Sequence, residues 1–131
     1  MAIIEWAHIC ENAILDQEGK ISLIAIFGKI YGVAFPAVHP KLYVAFVIKN
    51  DGTAKIGKVK TEIISPENEM VTFIESDIEV LSPYHSVFHE FRNVLFKTQG
   101  IYQIKIFING TDVTPYALEL NLLNLTDRNQ K

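Results

Sequence analysis

At 131 residues, 49 % of them hydrophobic and only one a cysteine, the chain is sized for one domain that can bury a core without disulfide staples. Twelve Lys and Arg against fifteen Asp and Glu give a formal net charge of -3, with the signs mixed along the chain and no basic face of the kind a nucleic-acid binder presents. The longest apolar run, Leu23 to Gly28, falls far short of the roughly 18 residues that cross a bilayer, and the first residues, Met1 to Trp6, lack the basic and apolar segments of a secretory signal, so the expectation is a cytoplasmic protein with no membrane and no nucleic-acid partner.

Runs of β-branched and aromatic residues, punctuated by Gly, Pro, Asn and Asp, predict an all-β domain of about eight strands. The first, about Ile3 to Leu15, turns through Asp16-Gln17-Glu18-Gly19 into the second, about Lys20 to Tyr31. The link Phe35-Pro36-Ala37-Val38-His39-Pro40 follows, where two prolines exclude a central strand. The third strand, about Lys41 to Lys49, ends at Asn50-Asp51-Gly52, and the fourth, about Ile56 to Ile64, ends at Ser65-Pro66-Glu67-Asn68. The fifth spans about Met70 to Leu81 and the sixth about Ser86 to Phe96, with Ser82-Pro83 between them. The seventh begins at Gly100 and alternates strictly, with Tyr102, Ile104, Ile106 and Ile108 on one face, before an Asn109-Gly110 hairpin turn. The eighth, about Tyr116 to Leu123, places Leu118, Leu120 and Leu122 inward. An antiparallel two-sheet β-sandwich over residues 1–123, with a polar C-terminal tail over 124–131, accounts for this pattern.

The strands differ in how many faces they must bury. In the fourth, Val59, Thr61 and Ile63 alternate with Lys58, Lys60 and Glu62, as in a sheet with one wet face. In the second and third, both faces are apolar, and Ile24, Ile26, Tyr43 and Val47 mark the extra one. Burying four such side chains is worth on the order of 1.5 to 3 kcal/mol each, so a cover is expected. Either the Gly32 to Pro40 link folds over that face, or another subunit does.

Chemistry-bearing residues are few. His85 and His89 share a strand face about 13 Å apart, too far for one metal ion, so neither a metal nor a cofactor is expected. His8 and Cys10 lie two apart on one face, where a small buried thiol packs as a hydrophobe. Glu75, Asp77 and Glu79 make a carboxylate row suited to solvent and to discouraging edge-to-edge pairing. Lys55, Lys58 and Lys60 cluster without the interleaved aromatics of a nucleic-acid surface. His39, in a predicted loop, is a candidate binding residue, as are Tyr84 and His85. There is no phosphate loop, nucleophile elbow, His-Glu-x-x-His or paired Cys-x-x-Cys in the chain.

The block Gly19 to Gly28, followed by Phe35 to Pro40 and joined by Gly100-Ile101-Tyr102 and Asn109-Gly110, resembles a family of small uncharacterised bacterial β-sandwich proteins, a domain of unknown function. The resemblance implies a bacterial origin and an immunoglobulin-like fold, and it supplies no catalytic residues. Tyr102 looks like the tyrosine corner of immunoglobulin-like domains, although Ile104 stands where an antibody domain has its second cysteine. The function expected first is a non-catalytic structural or protein-interaction module, whose partner is another protein or a further copy of the chain, met through Ile24, Ile26, Tyr43 and Val47. The alternative is a small-ligand or carbohydrate binder, or a weak enzyme, using the loops around His39 and Tyr84.

Overall fold

A computed structural model describes residues 2–50, 52, 57–79 and 83–125. Lys55, the Ile56 start of the fourth predicted strand, the Val80 to Ser82 stretch and the tail from Thr126 lie outside them. The described residues are all-β: β1 (Ala2–Leu15), β2 (Ile21–Ile26), β3 (Lys29–Gly32), β4 (Ala37–Asn50), β5 (Lys58–Ile64), β6 (Met70–Asp77), β7 (Tyr84–Phe96), β8 (Gly100–Ile108), β9 (Thr111–Asp112) and β10 (Leu118–Asn124). They form a four-stranded sheet in the order β2-β1-β4-β7 and a six-stranded sheet in the order β3-β10-β8-β5-β6, with β9 on β8. The six-stranded sheet curls into a half-barrel.

Alternation decides which residues meet between the sheets. Tyr102, Ile104, Ile106 and Ile108 from β8, Leu118, Leu120 and Leu122 from β10, and Val59 and Ile63 from β5 are buried, as their period of two predicts. From the other sheet, Ile4, Ala7, Ile9, Leu42, Val44, Phe46, Ile48, Val87 and Phe91 join them in one continuous core. Burial of apolar area on this scale is the main term holding the domain together.

The predicted turns at Asp16 to Gly19 and at Asn109-Gly110 form with their expected chemistry, whereas Asp51 of the predicted Asn50-Asp51-Gly52 turn lies outside the described residues. Asp16 Oδ1 accepts the N–H groups of Glu18 and Lys20, both at 2.8 Å, and Gly19 takes φ 82 to close the first hairpin. Asn109 and Gly110, at φ 49 and 83, make the tight turn from β8 into β9. At the start of β8, Gly100 sits at φ 136, and a Cβ there would lie 2.8 Å from Pro66 Cγ. Only glycine fits that entry.

Two expectations about strand layout are corrected. The single strand predicted over Lys20 to Tyr31 is two strands in different sheets. The Phe27 N–H still donates to Ile9 O at 3.0 Å in the four-stranded sheet, while Gly28 O accepts from Asn121 N–H at 2.7 Å in the other. Period-two patterning cannot register such a switch, because both halves stay apolar. Likewise, the prolines do not exclude a strand at Phe35 to Pro40, since β4 starts at Ala37 and runs through Pro40. Pairing of β4 with β1 ends at Tyr43, so Pro40 lies where β4 has a neighbour on one side alone. On that side the ladder skips from His39–Val94 to Lys41–Arg92, around Asn93 at φ 52. The proline rule holds locally, at what is in effect an edge.

Candidate functional site

The outer side of the four-stranded sheet is built from the residues that alternation turns away from the core. On β1 these are Trp6, His8 and Cys10. Cross-strand pairing sets Val47, Ala45 and Tyr43 of β4 beside them, and Ser86, Phe88 and Glu90 of β7 beyond. Cys10, Ala45 and Val47 are buried beneath their larger neighbours, with burial raising the Cys10 thiol pKa. Ile26 on β2 is 57 % exposed and Tyr84 on β7 is 54 % exposed. Among the described residues, no strand is stacked on this side.

The face is not flat. Glu5 forms a bulge in β1, where the register shifts between Ile4 and Trp6, and Tyr116 fastens that bend by donating to Ala7 O and accepting from Ala7 N–H. Ala25 holds φ 56 in β2, so Leu23 and Ile26, three residues apart, both turn to the same side. The result is a hollow of about 430 Å³ lined by Trp6, His8, Ile21, Leu23 and Ile26. Beyond it, residues 11–15 and β2 pair with each other alone, and Ile14, Leu15 and Ile24 stand exposed on this arm.

Polar groups rim the face. The Tyr43 hydroxyl donates to Glu90 Oε2 at 2.8 Å, and Arg92 Nε donates to Glu90 Oε1 at 2.7 Å. These two bonds, Arg92's first, hold the Glu90 carboxyl below its usual range. Lys41 lies over the Tyr43 ring and Lys49 over the Tyr84 ring.

A second polar arrangement lies between the sheets. His89, 4 % exposed, projects inward from β7, with Thr61 Oγ1 2.8 Å from Nδ1 and Ser76 Oγ 2.9 Å from Nε2. The edge of its ring meets Phe46 at 5.6 Å between centroids. Burial lowers its pKa from 6.5 to about 4, so near neutrality the imidazole is uncharged, with one nitrogen donating and the other accepting. The hydroxyls complete both roles. A hydroxyl on one nitrogen and an orienting group on the other is also the layout of an activated nucleophile. Here, however, the group bridges β7 to β5 and β6 inside the seam. The neighbouring cleft of about 590 Å³ between β6 and β7 takes in Ile74, Phe91 and Arg92 but neither Ser76 nor His89.

The sequence candidates fall in several places. His39 and Tyr84 lie ten residues apart along one strand pair, opposite Val94 and Lys49, which is about 33 Å at ~3.3 Å per residue. They do not share a site. His39 is half-buried against the Phe27 ring, its pKa lowered chiefly by that burial, and it lines a hollow of about 330 Å³ with Tyr31, Gly32 and Leu122. His85, half-buried, pairs with Ile48 on the inward side. Of the four interface candidates, Tyr43 and Val47 lie on the outer face. Ile26 lines its hollow and Ile24 does not. The Gly32 to Pro40 link does not cover the face, because Phe35 packs into the core and Val33 stands exposed. Among the described residues, no group of three or more His, Cys, Asp or Glu is placed to hold a metal.

Sequence patterning alone did not single out Trp6, Phe88 or the Thr61–His89–Ser76 seam. The signal for Phe88 was its alternation with Tyr84, Ser86 and Glu90. For the seam it was the inward parity of three polar residues. Comparison with known proteins returns no curated protein that matches. A family match does cover residues 5–121, nearly the whole of the two sheets, and on that match the chain belongs to the family of unknown function DUF6941.

Proposed function

We propose that the protein is a non-catalytic protein-interaction module that docks its partner on the outer face of the four-stranded sheet. The observation that carries this reading is the face itself. Trp6, Tyr43, Phe88 and Ile26 surround the buried Cys10, Ala45 and Val47, and Tyr, Arg and Lys side chains ring them, the composition of an interface centre with a polar rim. The fold reading that goes with it is an immunoglobulin-like sandwich in a bacterial cytoplasm. The core shared by both sheets supports the sandwich, and the Tyr102 hydroxyl donating to Thr98 O at 2.8 Å supports the tyrosine corner.

The test pairs two charge insertions on opposite sides of the molecule. Ser86→Arg places a cation on the β7 side of the proposed face, beside Val47, and Gln103→Arg places one on the exposed side of β8. Both variants are expected to keep wild-type circular dichroism. Protein partners co-purified from the native cell should be retained by Gln103→Arg and lost by Ser86→Arg. Equal retention by both would overturn the reading. A second reading, a small-ligand or carbohydrate binder, rests on the hollow at His39. It predicts that a ligand raising the melting temperature of the wild type leaves His39→Ala unmoved.

A further inference from the structure

We infer that the free edge of β6 takes up an extended peptide of another protein, alternating basic and apolar residues, as a further strand whose apolar side chains fill the cleft between β6 and β7. This edge is separate from the outer face of the four-stranded sheet. Strand β6 ends the six-stranded sheet and pairs with β5 alone, and β7 ends the four-stranded sheet and pairs with β4 alone. The two meet through Ser76 and His89. Away from that seam they part around the cleft of about 590 Å³, walled by Met70, Thr72 and Ile74 of β6 and by Phe91, Val94 and Leu95 of β7. A hollow of this size falls in the range of binding sites.

The direction of the backbone groups along this edge follows from the β5–β6 register. Ile78 N–H donates to Gly57 O at 2.9 Å, and the pairing runs unbroken from Lys58–Asp77 back to Ile63–Thr72. Bonded and non-bonded pairs alternate along an antiparallel ladder, so Ser76, Ile74 and Thr72 bond to β5. Phe73 and Glu75 fall between them and turn their N–H and C=O groups to the free edge. These groups repeat about every 6.6 Å, the spacing that a strand partner presents. Other edges are less suited. Ala25 at φ 56 kinks β2, Asn93 at φ 52 interrupts β7, and β3 has only 4 residues.

Side chains specify the occupant. Residues of the added strand beside Thr72 and Ile74 point inward with them, over the buried Phe91 and Val94. Those beside Phe73 and Glu75 point outward, along a row rich in carboxylates. Glu75 and Asp77 share Lys58 at 3.7 and 3.8 Å, while Lys60 is held by Glu62 at 2.9 Å. Around the cleft itself, Glu67, Glu69 and Glu90 outnumber Arg92 and Lys97. The row therefore repels an acidic strand and attracts a basic one, which makes it a filter as well as a guard. Strand β5 already shows the matching pattern on the other edge of β6, with Lys58 and Lys60 outward and Val59 and Thr61 inward.

The probe is a short blocked peptide alternating lysine and valine, contrasted with one alternating glutamate and valine. Titrated to about 1 mM into the isotope-labelled full chain, the lysine peptide should shift the amide NMR signals of Phe73 and Glu75 and slow their hydrogen exchange. The glutamate peptide should leave both unchanged. Phe73→Pro removes a free-edge donor without touching a bond to β5 and should weaken binding at least about tenfold, whereas Phe73→Ala keeps the N–H and should still bind. Glu75→Lys alters only charge at the surface, so it serves even where the proline variant fails to fold. It should weaken the lysine peptide and admit the glutamate one. Unshifted Phe73 and Glu75 signals overturn the inference, as do equal binding of both peptides and undiminished binding by a folded Phe73→Pro. Shifts confined to Trp6 and Phe88 would place the peptide on the outer face, removing the strand site while leaving the docking face standing.

Discussion

The two outer faces of this molecule share one backbone rule and opposite chemistry. On the outer side of the six-stranded sheet, Lys60 lies 2.9 Å from Glu62 and between the rings of Phe73 and Phe107, while Lys58 reaches Glu75 and Asp77 across the β5–β6 pair. Aromatic area there is covered by lysine stems whose charged ends stay in water. On the outer side of the four-stranded sheet, the equivalent positions hold Trp6, Val47 and Phe88, and charge is confined to the ends. Alternation assigns each residue to a face. What fills the second set of positions decides whether that face meets water or protein.

Truncating the same residue type on either side of one sheet should separate the two kinds of face by the largest margin. Phe46→Ala, in the core, should cost about 3–5 kcal/mol of unfolding free energy. Phe88→Ala, on the neighbouring strand but outward, should cost about 1 kcal/mol or less. Urea titrations at low protein concentration measure both, and a Phe88 cost approaching that of Phe46 would make the outer face part of the fold rather than a docking surface.

Acid probes the seam between the sheets. His89 is held at about 4 when folded and returns to 6.5 when unfolded, so between those values the unfolded chain binds a proton that the folded chain refuses. Stability should therefore fall as pH drops through this window, by at most about 1.4 kcal/mol per unit and about 3 kcal/mol in total. His89→Gln should flatten that difference between about pH 7 and pH 5. An unchanged slope would mean that the imidazole is not the group that resists the proton.

A smaller effect is expected at the entry to β8. Tyr102→Phe removes the hydroxyl bond to Thr98 O and should lower stability by about 1 kcal/mol, read as a shift in the denaturation midpoint. No change would make Tyr102 a core aromatic without a corner role. The smallest effect belongs to the wet face. Lys60→Met breaks an ion pair at the surface, and its midpoint should match the wild type once salt screens the charges.

Much of this was legible from residue order. The inward sets on β5, β8 and β10 followed from period two, and the turns at Gly19 and Asn109-Gly110 followed from glycine and asparagine placed where positive φ is needed. The apolar outer face was legible too, through Tyr43 and Val47. The hollow was not, because it depends on Ala25 adopting a conformation that alanine rarely takes. The seam was hidden for a different reason. Thr61, Ser76 and His89 are each ordinary where they stand, and only the packing of β7 on β5 and β6 brings them within hydrogen-bond reach.

The crossing at Phe27 and Gly28 bears on how the chain is made. Strand β3 lies at the end of its sheet and pairs with β10 alone, in parallel. As the polypeptide leaves the ribosome, β1, β2, β4 and β7 can assemble before β10 exists, but Lys29 to Gly32 must wait for Leu118 to Asn124. Until Leu118 emerges, Ile30 and Tyr31 have no ladder to join, and from the completion of β7 at Phe96 the four-stranded sheet has all its strands beside an unfinished companion. Strand β10 therefore also secures a strand from the first third of the chain, and a ribosome that stalls before residue 118 leaves β3 without its partner at that end of the half-barrel.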